Sequence, residues 1–242
     1  MTPKKVAVVT GGATGIGAAC CRALAARGFR VGIHYHHSEA AARDLREEIG
    51  DGFLLRADLA RTDEVEAMVE VLRRETDRVD CLVNNAGFSI NADIHAMKIE
   101  QFDAQRGVTR GTWYLTKRIL RLYMLRRGSG RIVNISSVTA ATGNAGQIPY
   151  TMEKAALEAF TRSLARELAG RGILVNAVAP GFIDTRMTRD LPEEVKRDLL
   201  SRVPLGRMGS PDEVAEVVAF LATGGTYIQG AVIPVNGGLY GG

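Results

Sequence analysis

Cysteine is scarce in this chain. Cys20, Cys21 and Cys81 are the three thiols among 242 residues, and an adjacent pair with one distant partner gives neither metal-ligand spacing nor a disulfide framework. They fall in an Ala-rich helical segment and in a strand, so buried, reduced thiols are expected and no metal site is. Long apolar runs are also missing, which excludes a membrane-spanning helix. No signal-peptide core intervenes between Met-Thr-Pro-Lys-Lys and the first strand, so a cytoplasmic protein without a membrane partner is expected. The excess of positive charge is small, a formal +4. Lys and Arg are scattered along helices without interleaved aromatics, which argues against nucleic acid and for solvated faces. With hydrophobic residues at 46% and charged residues at 24% the chain is ordinary for a folded domain. No linker, repeat or low-complexity tract divides it.

What is present is a continuous alternation of strand-like and helix-like segments. Val6–Val9, Arg30–Tyr35, Phe53–Arg56, Val79–Val83, Gly130–Ser136, Gly172–Val178 and Ala231–Val235 read as strands. Between them lie helical patterns, among them Ser38–Ile49 capped by Ser38, Thr62–Thr76 capped by Thr62 or Asp63, a long one from Glu100 to Arg127, and Pro211–Ala222 capped by Ser210. Met187–Arg202 reads as a helical excursion able to cover a substrate. This order predicts one α/β domain, a Rossmann-type doubly wound parallel sheet of about seven strands with helices on both faces. Residues 1–90 would be mainly the dinucleotide-binding half, and 91–242 mainly the catalytic and substrate half.

After the first strand comes Thr10-Gly-Gly-Ala-Thr-Gly-Ile-Gly17, opening a helix. Gly11, Gly15 and Gly17 would permit a tight turn and close approach of backbone to phosphate, while the free N–H groups of the helix start attract an anion. The strand before and the helix after make this a dinucleotide site. An acidic residue that would accept from ribose hydroxyls is missing at the end of the second strand, where the chain reads His34-Tyr-His-His-Ser38. No carboxylate repels a 2′-phosphate there, and His36, His37 and Ser38 could donate to one, so NADPH/NADP+ is the expected cofactor. Solvated loop histidines, or a surface metal pair of His34 and His36, are the other readings of this stretch.

Tyr150 and Lys154 lie four residues apart on a predicted helix and so share a face. A tyrosine with a pKa of about 10 is a slow proton donor at neutral pH, and a neighbouring ammonium favours its ionised form. Ser137 follows the apolar run Arg131–Ser136, at the carboxyl edge where open α/β sheets bind ligands. A hydroxyl that holds a carbonyl oxygen and a phenol that protonates it are what ketone reduction needs.

Together, Thr10-Gly-x-x-x-Gly-x-Gly17, Asn84-Asn-Ala-Gly87, Ser137, Tyr150-x-x-x-Lys154 and Pro180-Gly181 resemble the short-chain dehydrogenase/reductase superfamily. Gly143–Gln147, Val175–Thr185, Pro204–Gly209 and Val235–Gly238 resemble bacterial 3-oxoacyl-[acyl-carrier-protein] reductases within it. The resemblance implies that Ser137 polarises the ketone, Tyr150 protonates the alkoxide, and Lys154 binds the nicotinamide ribose while depressing the tyrosine's pKa. It assigns the cofactor to Gly11, Thr14, Gly15, Ile16, Gly17, Asp58, Leu59, Asn84, Ala86, Gly87, Pro180, Gly181, Ile183 and Thr185, beside His36 and His37. Gln147, Phe182 and Met187 would meet the substrate and Arg171 the carrier. A homotetramer is implied, or a hetero-oligomer with a related chain. The substrate would be an acyl thioester on acyl carrier protein or CoA, in fatty-acid or polyketide-type biosynthesis. A sugar, alcohol or steroid dehydrogenase, or a weakly active nucleotide-binding subunit, would use the same residues. Two departures stand out. Family members often carry a helix asparagine anchoring a water that feeds protons to the lysine; the corresponding Gly107–Trp113 has none and aligns with one residue missing, so either Thr109 or a backbone carbonyl would hold that water or turnover would be slow, and the helix would straighten. Gly128 stands where a second carrier-binding basic residue is usual, with Arg126 and Arg127 adjacent.

Overall fold

A computed structural model describes residues 3–185, 188 and 193–241. Its strands are β1 (Val6–Val9), β2 (Arg30–Tyr35), β3 (Gly52–Arg56), β4 (Cys81–Asn84), β5 (Gly130–Ile135), β6 (Ile173–Pro180) and β7 (Val232–Val235). They form a seven-stranded sheet in the order β3-β2-β1-β4-β5-β6-β7, and every neighbouring pair is parallel. The chain winds outward from β1 to β3, then returns to lay β4 on the other side of β1. This reversal opens a crevice at the carboxyl ends of β1 and β4.

The helices are α1 (Gly15–Ala26), α2 (Glu39–Ile49), α3 (Thr62–Glu75), α4 (Ile99–Ile119), α5 (Ile148–Leu168), α6 (Glu193–Ser201) and α7 (Pro211–Thr223). Strand periodicity sends alternate side chains of β1 to opposite faces. Ala7 and Val9 join a core with Leu24 and Val218 of α1 and α7, while Val6 and Val8 join one with Met68, Leu115 and Leu164 of α3, α4 and α5. Ser210 accepts from Glu213 N in a capping box, as its spacing predicts. Ser38 stands at the α2 N-cap without a side-chain bond. The N-cap of α3 is Arg61, not Thr62 or Asp63; the incoming turn is held instead by Asp58 and Glu64, whose carboxylates accept from Ala60 N and Asp58 N.

The predicted strand ends shift in a functional direction. β4 begins later than Val79 and runs to Asn84, while β6 continues to Pro180, carrying both strands to the crevice. The region around Thr109 is unbroken α-helix, and a π-helical turn follows only at Leu120–Met124. Of the predicted 187–202 excursion, Glu193–Ser201 is helical, and Met187 lies outside the described residues. Cys20, Cys21 and Cys81 are buried and free. No described helix is long and apolar enough to cross a membrane.

Helix α4 crosses the loop after β3 at Gly111, where an added Cβ would lie 1.8 Å from Leu59 O. Backbone cannot yield as a side chain can, so Gly111→Ala should destabilise the protein by roughly 3 kcal/mol, an overpacking cost. Thermal unfolding should show a midpoint lowered by roughly 5–10 °C; an unchanged midpoint would contradict this packing.

Candidate active site

The crevice is built from its floor upward. Thr10 follows β1, and its hydroxyl donates to Val83 O while accepting from Asn85 N (2.9 Å) and Ala86 N (3.0 Å). Asn85 Nδ2 donates to Thr10 O and Gly11 O, tying the glycine turn to the end of β4. Gly11 and Gly15 adopt φ of +60° and +55°, where a side chain is strained. Gly17 has no space for one, since its Cβ would lie 2.1 Å from Gly11 O. Thr14, the α1 N-cap, makes no side-chain capping bond, and the first turn holds no acidic residue. Its N–H groups and the helix dipole therefore remain available to an anion.

His34 supports this turn from below. The Gly11 N–H donates to its Nδ1 (2.9 Å), and Nε2 lies 3.1 Å from Ala57 O. Both bonds require the tautomer with hydrogen on Nε2. The ring is 3% exposed, and burial, opposed by the bond to Ala57, lowers its pKa from 6.5 to about 4. Both nitrogens are thus occupied, which overturns the reading of His34 with His36 as a surface metal pair. His36 and His37 lie beyond the strand with ring centroids 3.5 Å apart.

The opposite wall comes from β5 and α5. Ser137, 8% exposed, follows the end of β5, and its Oγ accepts from Thr139 N (3.2 Å) and Thr139 Oγ1 (3.0 Å). Pro149 opens α5, where a missing N–H costs nothing. The following turn carries Tyr150 and Lys154. Lys154 Nζ donates to Ile135 O at 2.7 Å and lies 5.6 Å from the centre of the Tyr150 ring. Burial lowers the lysine's pKa from 10.5 to about 8. Burial also raises the Tyr150 pKa, and the Ser137 hydroxyl bonded to the phenol opposes that rise. Burial is the largest influence on the phenol, and the Lys154 ammonium is directed at the Ile135 carbonyl and the face of the Tyr150 ring.

These pieces line one cleft of about 500 Å³. The glycine turn forms one end, Ser137, Tyr150 and Lys154 the other, and Ala86 with Gly87 the floor between. A family model described as enoyl-(acyl carrier protein) reductase matches residues 11–240. This chain belongs to the short-chain dehydrogenase/reductase family. It is 43% identical over 241 residues to a 3-oxoacyl-[acyl-carrier-protein] reductase FabG of Pseudomonas aeruginosa, covering 98% of this chain and 97% of that one. Its identity is 42% over 242 residues to a 3-oxoacyl-[acyl-carrier-protein] reductase of Synechocystis (97% and 96% covered), and 41% over 246 residues to a FabG of Staphylococcus aureus (99% and 100% covered).

The short-chain reductase motifs are gathered by the fold to different degrees. Thr14, Ile16, Pro180, Gly181, Ile183 and Thr185 line the cleft with the glycines. The Ile183–Thr185 strap is held by pairing of Ile183 with Gly209 and by Thr188 Oγ1, which donates to Ile183 O at 2.7 Å. Asn84 is turned away from the cleft, because Nδ2 donates to Thr116 Oγ1 and Asn134 Oδ1 in the interior; its neighbour Asn85 lines the cleft instead. Leu59 is buried beside the Asp58 turn. Gln147 binds Ser89 and Asn91 with its Nε2, joining two loops outside the cleft lining. Phe182 lines an adjoining hollow of about 250 Å³ with Leu205 and Val235. Arg171 is exposed next to Gly172, which packs on Gly128. Arg127, adjacent to Gly128, is paired with Asp80. Phe88, Ser89 and Thr188 also line the cleft, and none has a sequence signal beyond its place in a loop at the sheet's edge.

Because His34 is neutral when folded, protons bind the unfolded chain more readily between its two pKa values. Stability should therefore fall as pH drops from 6.5 towards about 4, by about 3 kcal/mol from this group. His34→Gln should flatten that part of a denaturation-versus-pH curve; the same slope in both proteins would contradict the assignment.

Proposed function

We propose that this protein reduces a 3-oxoacyl thioester to the 3-hydroxyacyl thioester with NADPH. The observation that carries the reading is the convergence of Ser137, Tyr150 and Lys154 on the cleft that begins at the glycine turn. The names of the relatives supply the substrate class, acyl groups on acyl carrier protein. The residues fit a dinucleotide: the uncapped start of α1 suits a pyrophosphate, the Asp58–Leu59 turn an adenine, and Ile183 with Thr185 a carboxamide. His36, His37 and Ser38 would receive a 2′-phosphate where no carboxylate opposes it. When bound, the cofactor supplies hydride to the carbonyl carbon.

The protein's own part is to hold the carbonyl and manage the proton. Ser137 Oγ, oriented by Thr139, donates to the carbonyl oxygen as charge gathers there. Tyr150, kept protonated by burial, gives its phenolic proton to the forming alkoxide. Lys154 stabilises the resulting phenolate while it remains charged, and below pH of about 8 it is. Beyond the cleft, α4 and α5 expose Trp113 (49%) and Met152 (46%) side by side along a groove. Apolar surface of this kind marks an interface, in line with a homotetramer.

Three assays test the reading. Tyr150→Phe should lower kcat for acetoacetyl-CoA by about 10³-fold or more, a loss typical of an acid-base group, while NADPH binding persists. The wild-type kcat should fall as pH rises through a single ionisation near 8, where Lys154 loses its charge. NADPH should be oxidised by 3-oxoacyl thioesters and not by crotonyl-CoA. Turnover of crotonyl-CoA alone would transfer the protein to enoyl reduction, and tight NADPH binding without turnover of any ketone would favour a noncatalytic subunit.

A further inference from the structure

Ser137 follows β5 in a turn that is held from both sides. The N–H groups of Ser136 and Val138 continue the ladder towards β6, donating to Val178 O (2.8 Å) and Pro180 O (2.9 Å). The chain then coils into a single helical turn, Thr139–Thr142, and Ala140 N donates back to Ser137 O at 3.0 Å. Two donors reach the Ser137 hydroxyl from within this turn, Thr139 N at 3.2 Å and Thr139 Oγ1 at 3.0 Å. A serine hydroxyl has two acceptor positions and one hydrogen. Thr139 therefore fills both acceptor positions, and the hydrogen is left for the cleft that Ser137 lines with Tyr150 and Lys154.

Two hydroxyls side by side can bond in either order, since each is both donor and acceptor. In the reverse order Ser137 would spend its one hydrogen on Thr139 and meet a carbonyl oxygen with lone pairs alone, which repel it. The supply of acceptors decides between the two. Among the described residues, Ser137 is the one hydrogen-bond partner of Thr139 Oγ1, whereas Ser137 is also bonded to the Tyr150 phenol. The order Thr139 to Ser137 to Tyr150 gives the hydrogens of both Thr139 and Ser137 a protein acceptor. The reverse order leaves the Thr139 hydrogen without one.

We propose that Thr139 is a positioning residue that fixes the polarity of Ser137, making it a donor to the cleft by occupying both of its acceptor positions. This differs from holding the side chain in place, because a serine held equally firmly by an acceptor would stay put and present the wrong polarity. Any residue at position 139 other than proline supplies the backbone N–H, so the distinguishing group is the Thr139 hydroxyl. The same row of bonds serves Tyr150. While the carbonyl oxygen gathers charge, Ser137 donates to it. Once the phenol has given its proton to the alkoxide, the Ser137 hydrogen turns to the phenolate, with Thr139 still the donor behind it. Each bond in such a row strengthens the next. Neither Ser137 nor Thr139 loses a proton in the step; the one transferred comes from Tyr150.

The inference rests on the reductase reading, and the experiment keeps the two apart. Thr139→Val retains the branched shape and the backbone N–H and removes the hydroxyl. With acetoacetyl-CoA and NADPH its kcat should fall about 10-fold, less than the roughly 10²- to 10³-fold that follows loss of a donor touching the oxyanion itself. Thr139→Ser should recover to within about threefold of wild type, and the Kd for NADPH, read by fluorescence titration without substrate, should change less than about twofold in either variant. A double-mutant cycle then shows what Thr139 acts through. In a Ser137→Ala background, adding Thr139→Val should lower kcat by less than about twofold. A full 10-fold loss in that background, or an unaltered kcat in Thr139→Val alone, would overturn the proposal. A wild type that oxidises no NADPH with any 3-oxoacyl thioester would overturn the reductase reading instead, and the polarity is then read without turnover. Ultraviolet titration of the Tyr150 phenol, taken as the difference from Tyr150→Phe, should show its ionisation displaced upward by about half a unit or more in Thr139→Val, because the donor that favours the phenolate is weakened. No displacement would contradict the assignment. Should Thr139→Val fold poorly, Thr139→Ala is read in the same way.

Discussion

One buried ammonium constrains much of this molecule. Lys154 is 9% exposed, and a charge so far from solvent persists only if its hydrogens find acceptors, because desolvating an ion costs several kcal/mol. The carbonyl of Ile135 provides the first of these at 2.7 Å, which requires β5 to end facing α5 at that height. Gly87 packs on the other side, where a Cβ would stand in ordinary contact with Nζ at 3.5 Å. The lysine thus links the end of a strand, a loop after another strand and a helix. Its position beside Tyr150 results from this packing rather than from attraction to the phenol.

The cleft follows from the same parallel sheet. Because the order reverses between β1 and β4, the loops after those strands diverge and leave a crevice. Thr10 and Asn85 bridge it underneath, and His34 braces the glycine turn through Gly11. These contacts are short and mostly to backbone, so they define the floor closely while leaving the N–H groups at the start of α1 outward. The Ile183–Thr185 strap, anchored by Gly209 and Thr188, closes one side.

Much of this is legible in the sequence because it repeats with simple periods. Strand and helix alternation foretells the sheet, glycines mark the turn, and the four-residue step from Tyr150 to Lys154 places both on one face. Asn84, His34 and Gln105 are harder. An asparagine at a strand end reads equally as ligand-facing or inward-facing, and only the partners Thr116 and Asn134, 32 and 50 residues away, decide which. His34 is legible as a strand residue beside His36 and His37, but that its side chain turns under the glycine turn to meet Gly11 and Ala57 is not. Gln105 has the composition of a solvated helix face. Its burial arises from α4 packing against α5, a pairing the linear pattern does not specify. The tyrosine's ionisation is likewise a matter of competing magnitudes, since proximity to a lysine predicts one direction and burial enforces the other.

The central claim is that half-buried Tyr150 and buried Lys154 face a reacting carbonyl across the end of a dinucleotide cleft. A crystal structure with NADP+ tests this most directly. The account predicts the pyrophosphate at the start of α1, the nicotinamide ribose within hydrogen-bond distance of Lys154, and the reactive ring carbon opposite the Tyr150 and Ser137 hydroxyls. A nicotinamide bound outside the cleft, or one separated from Lys154 by other side chains, would contradict it.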